Sequence, residues 1–166
     1  MLLLLKFYLT ISHHLIMKII PATVEHLNEL AKLFDAYRIF YRKSSDVASA
    51  ARFLSERLER KDSVIYLAID NHDAIAGFTQ LYPLFSSTRL KRLWLLNDLF
   101  VKEDSRGKGY SKLLIERAKA LAIESEAAGP SLETEMSNHI GNALYPDVGF
   151  ELDTEHNFYF WENKIR

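Results

Sequence analysis

Cysteine is absent from the 166-residue chain. Its absence excludes a disulfide framework, a cysteine nucleophile, a zinc–thiolate site and an iron–sulfur cluster. Glycine and proline are scarce as well, with 6 and 4 residues, which excludes collagen-like and low-complexity proteins. There is no excess of positive charge, since 21 basic and 22 acidic side chains give a net charge of −1. General electrostatic nucleic-acid binders usually carry a basic surplus, so we expect no nucleic-acid partner.

The chain also lacks an apolar run of membrane-spanning length. Residues 1–16, MLLLLKFYLTISHHLI, contain Lys6, His13 and His14, whereas a span takes about 20 apolar residues. No basic region precedes Leu2 and no small-residue cleavage site follows, so a secretory signal is not indicated. We interpret 1–16 as a leader added by an upstream start, with a targeting segment or an added strand or interface piece as alternatives. We expect no membrane partner, and a cytoplasmic location is compatible with the missing cysteine.

Apolar periodicity predicts one α/β domain over 17–166, with element order β αα βββ α β α ββ. Strands are predicted at 17–20, 64–69, 74–82, 90–101, 132–136, 150–152 and 158–161. Helices are predicted at 23–38, 47–58, 112–128 and 138–145. Pro83 and residues 86–88 are predicted to form a loop between two of the strands.

The segment 106–111, RGKGYS, follows a predicted strand and opens a predicted helix. Backbone N–H groups and the positive end of the helix dipole meet there. Gly107 and Gly109 allow close approach of a ligand to the backbone. Positions 105–115 hold no acidic side chain but three basic ones, a combination that suits a diphosphate. Walker and dinucleotide glycine spacings are both absent, and a plain helix-capping loop is the alternative.

This turn resembles the Q/R-x-x-G-x-G/A signature of the GNAT family of N-acetyltransferases, with Arg106 first, Gly109 fourth and Ser111 last. The run from Asn138 through Asn142-Ala143-Leu144-Tyr145 to Gly149-Phe150 resembles a second motif of that family. Leu132-Glu133-Thr134 stands where the family has its fifth strand. The resemblance covers roughly 17–161 and extends to a bacterial and yeast subgroup of general amine and histone-like acetyltransferases. Ser111 and Gly141 depart from the usual residues.

The resemblance implies a single mixed, mostly antiparallel sheet flanked by helices, and acetyl transfer from acetyl-CoA to an amine. It implies that the strand backbone of Leu99, Phe100 and Val101 pairs with pantetheine, with an N–H near Leu99 polarising the thioester carbonyl. It further implies that the amides of Arg106, Gly107, Lys108, Gly109, Tyr110 and Ser111 hold the pyrophosphate, and that Asn138 contacts the cofactor arm.

Tyr145 is implied to protonate the leaving thiolate, since an ordinary tyrosine, with a pKa of about 10, keeps its proton at neutral pH. Packing at a helix end is the alternative for this ring. Glu133 is the implied base, or otherwise a solvent-facing glutamate. Asn97 and Asp98 compete on the preceding strand, where alternation predicts that they point to opposite faces and that at most one lines the cleft. Asp98 has a structural hydrogen-bonded role as its alternative.

The acceptor pocket is expected from the first helices and the third strand. Its candidates are Tyr37, Phe40, Tyr41, Gln80, Tyr82 and Phe85, of which the aromatic ones could instead be core. The six histidines have no H-E-x-x-H spacing, so no metal is expected. The aromatic tail 156–161 needs cover, which predicts a homodimer. A catalytically silent CoA-binding module and an unrelated phosphate-binding domain are the competing functions, and a small-molecule or peptide amine is the expected acceptor.

Overall fold

The computed structural model describes residues 17–163. These residues divide into two compact units, the first ending at Leu132 and the second beginning at Glu133. The predicted leader, 1–16, lies outside the described residues, and its separation from the domain stays a prediction.

The first unit contains a five-stranded sheet in the order β1-β2-β3-β4-β5. Strands β1 to β4 pair antiparallel and β5 runs parallel to β4. The strands are β1 Lys18–Pro21, β2 Val64–Ile69, β3 Ile75–Ser86, β4 Lys91–Val101 and β5 Pro130–Ser131. A mixed sheet flanked by helices is the predicted fold class, which is confirmed.

The helices are α1 Leu27–Phe40, α2 Val47–Arg60 and α3 Tyr110–Glu124 in the first unit, and α4 His139–Asp147 in the second. A short 3-10 turn, Val24–His26, precedes α1. Asp46 begins α2 because its side chain accepts a hydrogen bond from the Ser49 amide at 2.9 Å. After α3 ends at Glu124, Glu126 adopts a positive φ of 53°, so this helix is shorter than predicted.

Strand β2 is covered on both faces because its side chains alternate between them. Ile65, Leu67 and Ile69 join a core cluster with α1, α2 and β3. On the opposite face Tyr66 lies under the Arg117 guanidinium of α3, 4.5 Å from the ring centroid. A strand buried on both sides reads as a continuous apolar run, which is how 64–69 appears in the sequence.

The predicted loop at Pro83 is wrong, since β3 continues through it to Ser86 and pairs Pro83 with Trp94. Pairing between β2 and β3 begins at Val64 opposite Leu81. Pro83 therefore lies beyond the end of β2, where β3 has a neighbour on one side and the missing N–H removes no ladder bond on the other.

The strands predicted at 132–136, 150–152 and 158–161 are also wrong. Strand β5 ends at Ser131, and residues 150–163 form no strand. Four consecutive aromatic side chains in that tail are 75–85% exposed: Phe158, Tyr159, Phe160 and Trp161. Aromatic content favours a strand only where another strand supplies backbone partners and packing.

Within residues 17–163, no helix has both the length and the apolar character to cross a bilayer. The same part of the chain holds no group of three or more His, Asp or Glu side chains arranged around a metal position.

Candidate active site

A bulge interrupts the pairing of β4 with β3 at Asn97. Gln80 pairs with Asp98 and the next residue, Leu81, pairs with Leu96. Asn97 is therefore an extra residue on β4, and the regular alternation of side chains between the two faces is broken there.

Beyond the bulge, β4 has an edge that β5 does not pair. The parallel pairing of the two strands is confined to Trp94 and Leu95. The predicted cofactor-binding residues Leu99, Phe100 and Val101 follow on this part of β4 and are half-buried. A strand edge without a pairing strand offers backbone N–H and C=O groups to an extended ligand.

The glycine turn between β4 and α3 has backbone conformations that favour glycine. Gly107 has a φ of 74° and Gly109 a φ of 91°, a region that other residues adopt at a cost. A Cβ added at either glycine would meet no atom within 4 Å, so both face open space. Gly109 is the N-cap of α3 and has no side chain to bond the first amides. These amides are thus presented to a ligand, which fits a pyrophosphate.

Two of the predicted turn residues have side chains that contact the protein: Arg106, which is exposed, lies against β4, and Tyr110 is buried. Nε of Arg106 donates to the Val101 carbonyl at 3.2 Å, and its guanidinium lies 5.7 Å from the centre of the Phe100 ring. Tyr110 is 2% exposed, so its backbone is what it can offer to a ligand. Lys108 is exposed and Ser111 is half-buried at the start of the helix.

Asp98 is a buried carboxylate at the bulge, 5% exposed. Nδ2 of Asn97 donates to its Oδ2 at 3.1 Å, and the Tyr37 hydroxyl donates to it as well. Burial raises the pKa of Asp98 above its usual range, and these two hydrogen bonds oppose the shift. The prediction that Asn97 and Asp98 point to opposite faces is wrong, because the bulge lets their side chains meet.

Gln80 and Tyr82 lie on β3 beside Asp98. Gln80 is fully buried and Nε2 donates to the Ser63 hydroxyl at 2.8 Å. Its Oε1 has no hydrogen-bond partner within 17–163. Burial, and then the charge of Asp98, raise the pKa of Tyr82 to about 12. Tyr82 therefore keeps its proton through the physiological range, while Gln80 holds an unused acceptor in the interior.

The predicted acceptor residues Tyr37 and Tyr41 line a cavity of about 570 Å³ between α1 and α2. Their rings meet at 5.0 Å, and Tyr37 also meets the Phe100 ring at 6.0 Å. Tyr37 therefore belongs both to this cavity and to the Asp98 cluster. Of the other candidates, Phe40 and Phe85 are 55% and 74% exposed.

Sequence reasoning missed most of the cavity. Its α1 lining falls at 34, 37 and 38, with 41 just after the helix, and its α2 lining at 49, 52, 53 and 56, with Ala50 beside them. Both sets have the spacing i, i+3, i+4, i+7, which places residues on one helix face. Two polar–aromatic faces with the same spacing on consecutive helices were the available signal.

In the second unit, Asn138 caps α4. Its Oδ1 accepts from the Gly141 amide at 3.0 Å, and its Nδ2 donates to the Thr134 hydroxyl at 2.9 Å. A Cβ on Gly141 would lie 2.5 Å from Nδ2 of Asn138, which explains glycine at this position. The predicted contact of Asn138 with the cofactor stays a prediction.

The two predicted catalytic residues also belong to the second unit. Glu133 is exposed and lies in no strand, although Leu132 and Thr134 on either side are half-buried. Tyr145 is half-buried on α4, with its ring 5.9 Å from that of Phe150. The Phe150 amide bonds the Tyr145 carbonyl at 2.9 Å and closes the segment after the helix.

The sequence model of the acetyltransferase (GNAT) family matches residues 28–150. The match covers both the glycine turn and the run from Asn138 to Phe150. The chain belongs to this family and is an acetyl-CoA-dependent acetyltransferase.

Two similar proteins have comparable length. An uncharacterized N-acetyltransferase, YhfO of Bacillus subtilis (strain 168), is 44% identical over 138 residues, which are 83% of this chain and 92% of that protein. A crystal structure of a probable acetyltransferase is 42% identical, with a TM-score of 0.85 over 90% of this chain and 100% of that one.

A more distant structure shares the fold. It is that of a predicted acetyltransferase from Clostridium acetobutylicum with acetyl-CoA, 16% identical, with a TM-score of 0.70 over 87% of this chain and 96% of that one.

Proposed function

We propose that this acetyltransferase moves an acetyl group from acetyl-CoA directly to the primary amine of a small molecule or peptide. The observation that carries the proposal is the position of Asp98. This buried carboxylate lies on β4 just before the strand edge that β5 leaves unpaired. A proton acceptor and a binding edge for an extended ligand are thus consecutive on one strand.

The cofactor is proposed to lie along Leu99–Val101, with its pyrophosphate on the Arg106–Ser111 turn. The open space at Gly107 and Gly109 supports this placement. The acetyl-CoA complex of the clostridial structure supports the choice of cofactor. Acetyl-CoA supplies the acetyl group as a thioester, and the residues below bind the amine and move its proton.

The amine has to lose a proton as it attacks. We propose Asp98 as the acceptor of that proton in preference to Glu133. Burial raises the pKa of Asp98, and a carboxylate with a raised pKa is a better base near neutral pH. The free Oε1 of Gln80 gives the amine, or a water beside it, a second acceptor.

Tyr145 is proposed to give a proton to the departing CoA sulfur as the carbon–sulfur bond breaks. The nitrogen proton then resides on the carboxylate, and the tyrosine recovers its own from solvent. Its position in the family motif supports this role.

We further propose membership of the general amine and histone-like subgroup and a homodimer. The exposed aromatic tail supports the dimer. The absence of cysteine is compatible with a reducing compartment, and we propose the cytoplasm.

The test combines binding and turnover on the full chain. Acetyl-CoA at 100 times its dissociation constant should add about 2.7 kcal/mol to the free energy of unfolding, which raises the melting temperature of a chain this size by about 5–11 °C. CoA thiol release is then followed with a panel of amines. The absence of a thermal shift would overturn the cofactor site, and a shift without turnover on any amine would indicate a silent CoA-binding module.

A further inference from the structure

The cavity between α1 and α2 carries positive charge on an aromatic wall. Its lining includes Arg38, Lys43 and Arg52 but one carboxylate, Glu56. The aromatic part consists of Phe34, Tyr37, Tyr41 and Phe53, with Phe34 stacked on Phe53 at 5.7 Å. We call these three cationic residues, Arg38, Lys43 and Arg52, the rim of the cavity. An acceptor that bears several positive charges, such as a polyamine, would meet like charges at this rim.

The carboxylates near the rim are already engaged. Glu56 bonds Arg57 at 3.4 Å. Asp35 is 3% exposed and accepts from the Ser45 hydroxyl, the Asp46 amide and Arg38. These hydrogen bonds, led by that of Ser45, lower the pKa of Asp35, so it stays ionised beneath Arg38.

The cap of α2 is the other nearby carboxylate. Oδ1 of Asp46 accepts a hydrogen bond from the Ser49 amide. Hydrogen bonds from Ser49, and then the charges of Arg38 and Arg52, lower the pKa of Asp46. It does not line the cavity.

The rim cations retain hydrogen-bonding capacity. Arg52 donates from one terminal nitrogen to the neutral Ser49 hydroxyl at 2.9 Å, which leaves most of its five N–H donors. Lys43 is exposed and adds three donors. Arg52 offers a planar guanidinium and Lys43 a compact ammonium group, and proteins use both groups to bind carboxylates.

Tyr37 fixes the direction in which an acceptor would lie. It lines the cavity and its hydroxyl bonds Asp98. Asp98 itself does not line the cavity, so an amine that reacts beside Asp98 would lie at the Tyr37 end. Its stem would then lie against the aromatic rings, and any second group at the rim. A volume of about 570 Å³ accommodates a small organic molecule of this form.

We infer that the acceptor is an amine that carries a carboxylate at the other end of an apolar stem, held by Arg52 and Lys43. This inference rests on the proposed function and names the substrate class of the same site.

The test uses matched pairs of amines that differ in the carboxylate: 4-(aminomethyl)benzoate against benzylamine, and 6-aminohexanoate against hexylamine, with spermidine as a polyamine. For the wild type, kcat/KM should be about tenfold higher or more for the carboxylated member of each pair, as expected for a charge-assisted contact. Arg52→Gln and Lys43→Gln should each reduce that ratio several-fold. Arg60→Gln, on α2 outside the cavity lining, is the matched control and should preserve it.

Equal rates within both pairs, a preference for spermidine, or a ratio that Arg52→Gln and Lys43→Gln leave intact would overturn the inference while acetyl transfer itself stood. If no amine is acetylated, the proposed function fails. Calorimetry with 4-(aminomethyl)benzoate and benzylamine in the presence of CoA then decides the inference. Tighter binding of the carboxylated compound that Arg52→Gln weakens would support it, and equal or absent binding would overturn it.

Discussion

Asp98 and Glu133 differ in environment more than in chemistry. Asp98 is buried beside Tyr37 and Asn97, whereas Glu133 is exposed. At the residue scale this difference is what separates them as proposed bases, because burial penalises the charged form and brings a carboxyl pKa toward the working pH.

We predict that Asp98→Asn removes the contribution of the carboxylate from the acidic limb of the kcat/KM profile, leaving that of the amine, and lowers the rate about 10²–10⁴-fold. The raised pKa of Asp98 places that limb above the range of an ordinary aspartate. The profile is measured with one amine throughout, so that its own ionisation contributes equally. Glu133→Gln is the control and should run parallel to the wild type. A rate loss for Glu133→Gln at acidic and neutral pH, with partial recovery at high pH, would return the base role to Glu133.

The raised pKa of Asp98 also predicts how the stability of the protein depends on pH. A carboxyl group with a raised pKa in the folded state contributes stability at pH below its unfolded pKa. That contribution is lost as the pH rises through the folded value. As the pH rises from the unfolded to the folded pKa of Asp98, the melting temperature of the wild type should therefore fall relative to that of Asp98→Asn. A constant difference between the two proteins would contradict the raised pKa.

Tyr145 allows a test that changes a single oxygen. Tyr145→Phe keeps the ring against Phe150, so loss of one hydroxyl should cost about 1 kcal/mol of stability. Turnover should fall about 10²–10⁴-fold, because the leaving thiolate lacks its acid. Affinity for acetyl-CoA should be retained, since the hydroxyl acts mainly in the transition state. Tyr159→Phe, in the exposed tail, is the control, and unaltered turnover of Tyr145→Phe would remove Tyr145 from the mechanism.

At the scale of elements, the strand, turn and helix at 99–124 form the proposed cofactor-binding segment. The turn connects an unpaired strand edge to a helix start without a side-chain cap. Arg106 fixes the end of β4 through the Val101 carbonyl. A hydrogen bond therefore holds the end of β4, and the backbone of the turn faces open space.

We predict that Gly109→Val weakens acetyl-CoA binding by more than its effect on folding accounts for. A side chain at a φ of 91° costs about 1–2 kcal/mol, and the Cβ would occupy the open space proposed for the pyrophosphate. Gly149→Val imposes similar strain at a φ of 85° in the second unit and serves as the control. Affinity by calorimetry and stability by denaturation separate the two effects. Equal affinity in both variants would make the turn a plain helix cap.

The aromatic tail gives the prediction for the whole molecule. Its four aromatic side chains are 75–85% exposed, and at about 200 Å² each a symmetric pair would bury roughly 1,300 Å², within the range of stable dimers. We expect light scattering at micromolar concentration to give twice the chain mass of 19.2 kDa. Trp161→Ser should shift the mass toward the monomer, whereas Ile123→Ser, 79% exposed on α3, should not. A monomeric wild type would contradict the dimer.

Features that depend on neighbours along the chain could be predicted from residue order. Helical spacing gave α1 and α2, the RGKGYS segment gave the turn before α3, and the run from Asn138 to Phe150 gave α4 and the family motif. These features are set within a few residues, where backbone geometry and residue type suffice.

Features that depend on pairing between distant segments became visible in the folded chain. The bulge at Asn97 exists because of the register of β3 on β4, and it brings Asn97 and Asp98 together where alternation predicts separation. Pro83 stays in β3 because the pairing of β3 with β2 stops at Leu81, before Pro83 is reached. The cavity arises where the faces of α1 and α2 meet, and the tail forms no strand although its composition favours one. Strand register and burial depend on residues far apart in the chain, so no local pattern contains them.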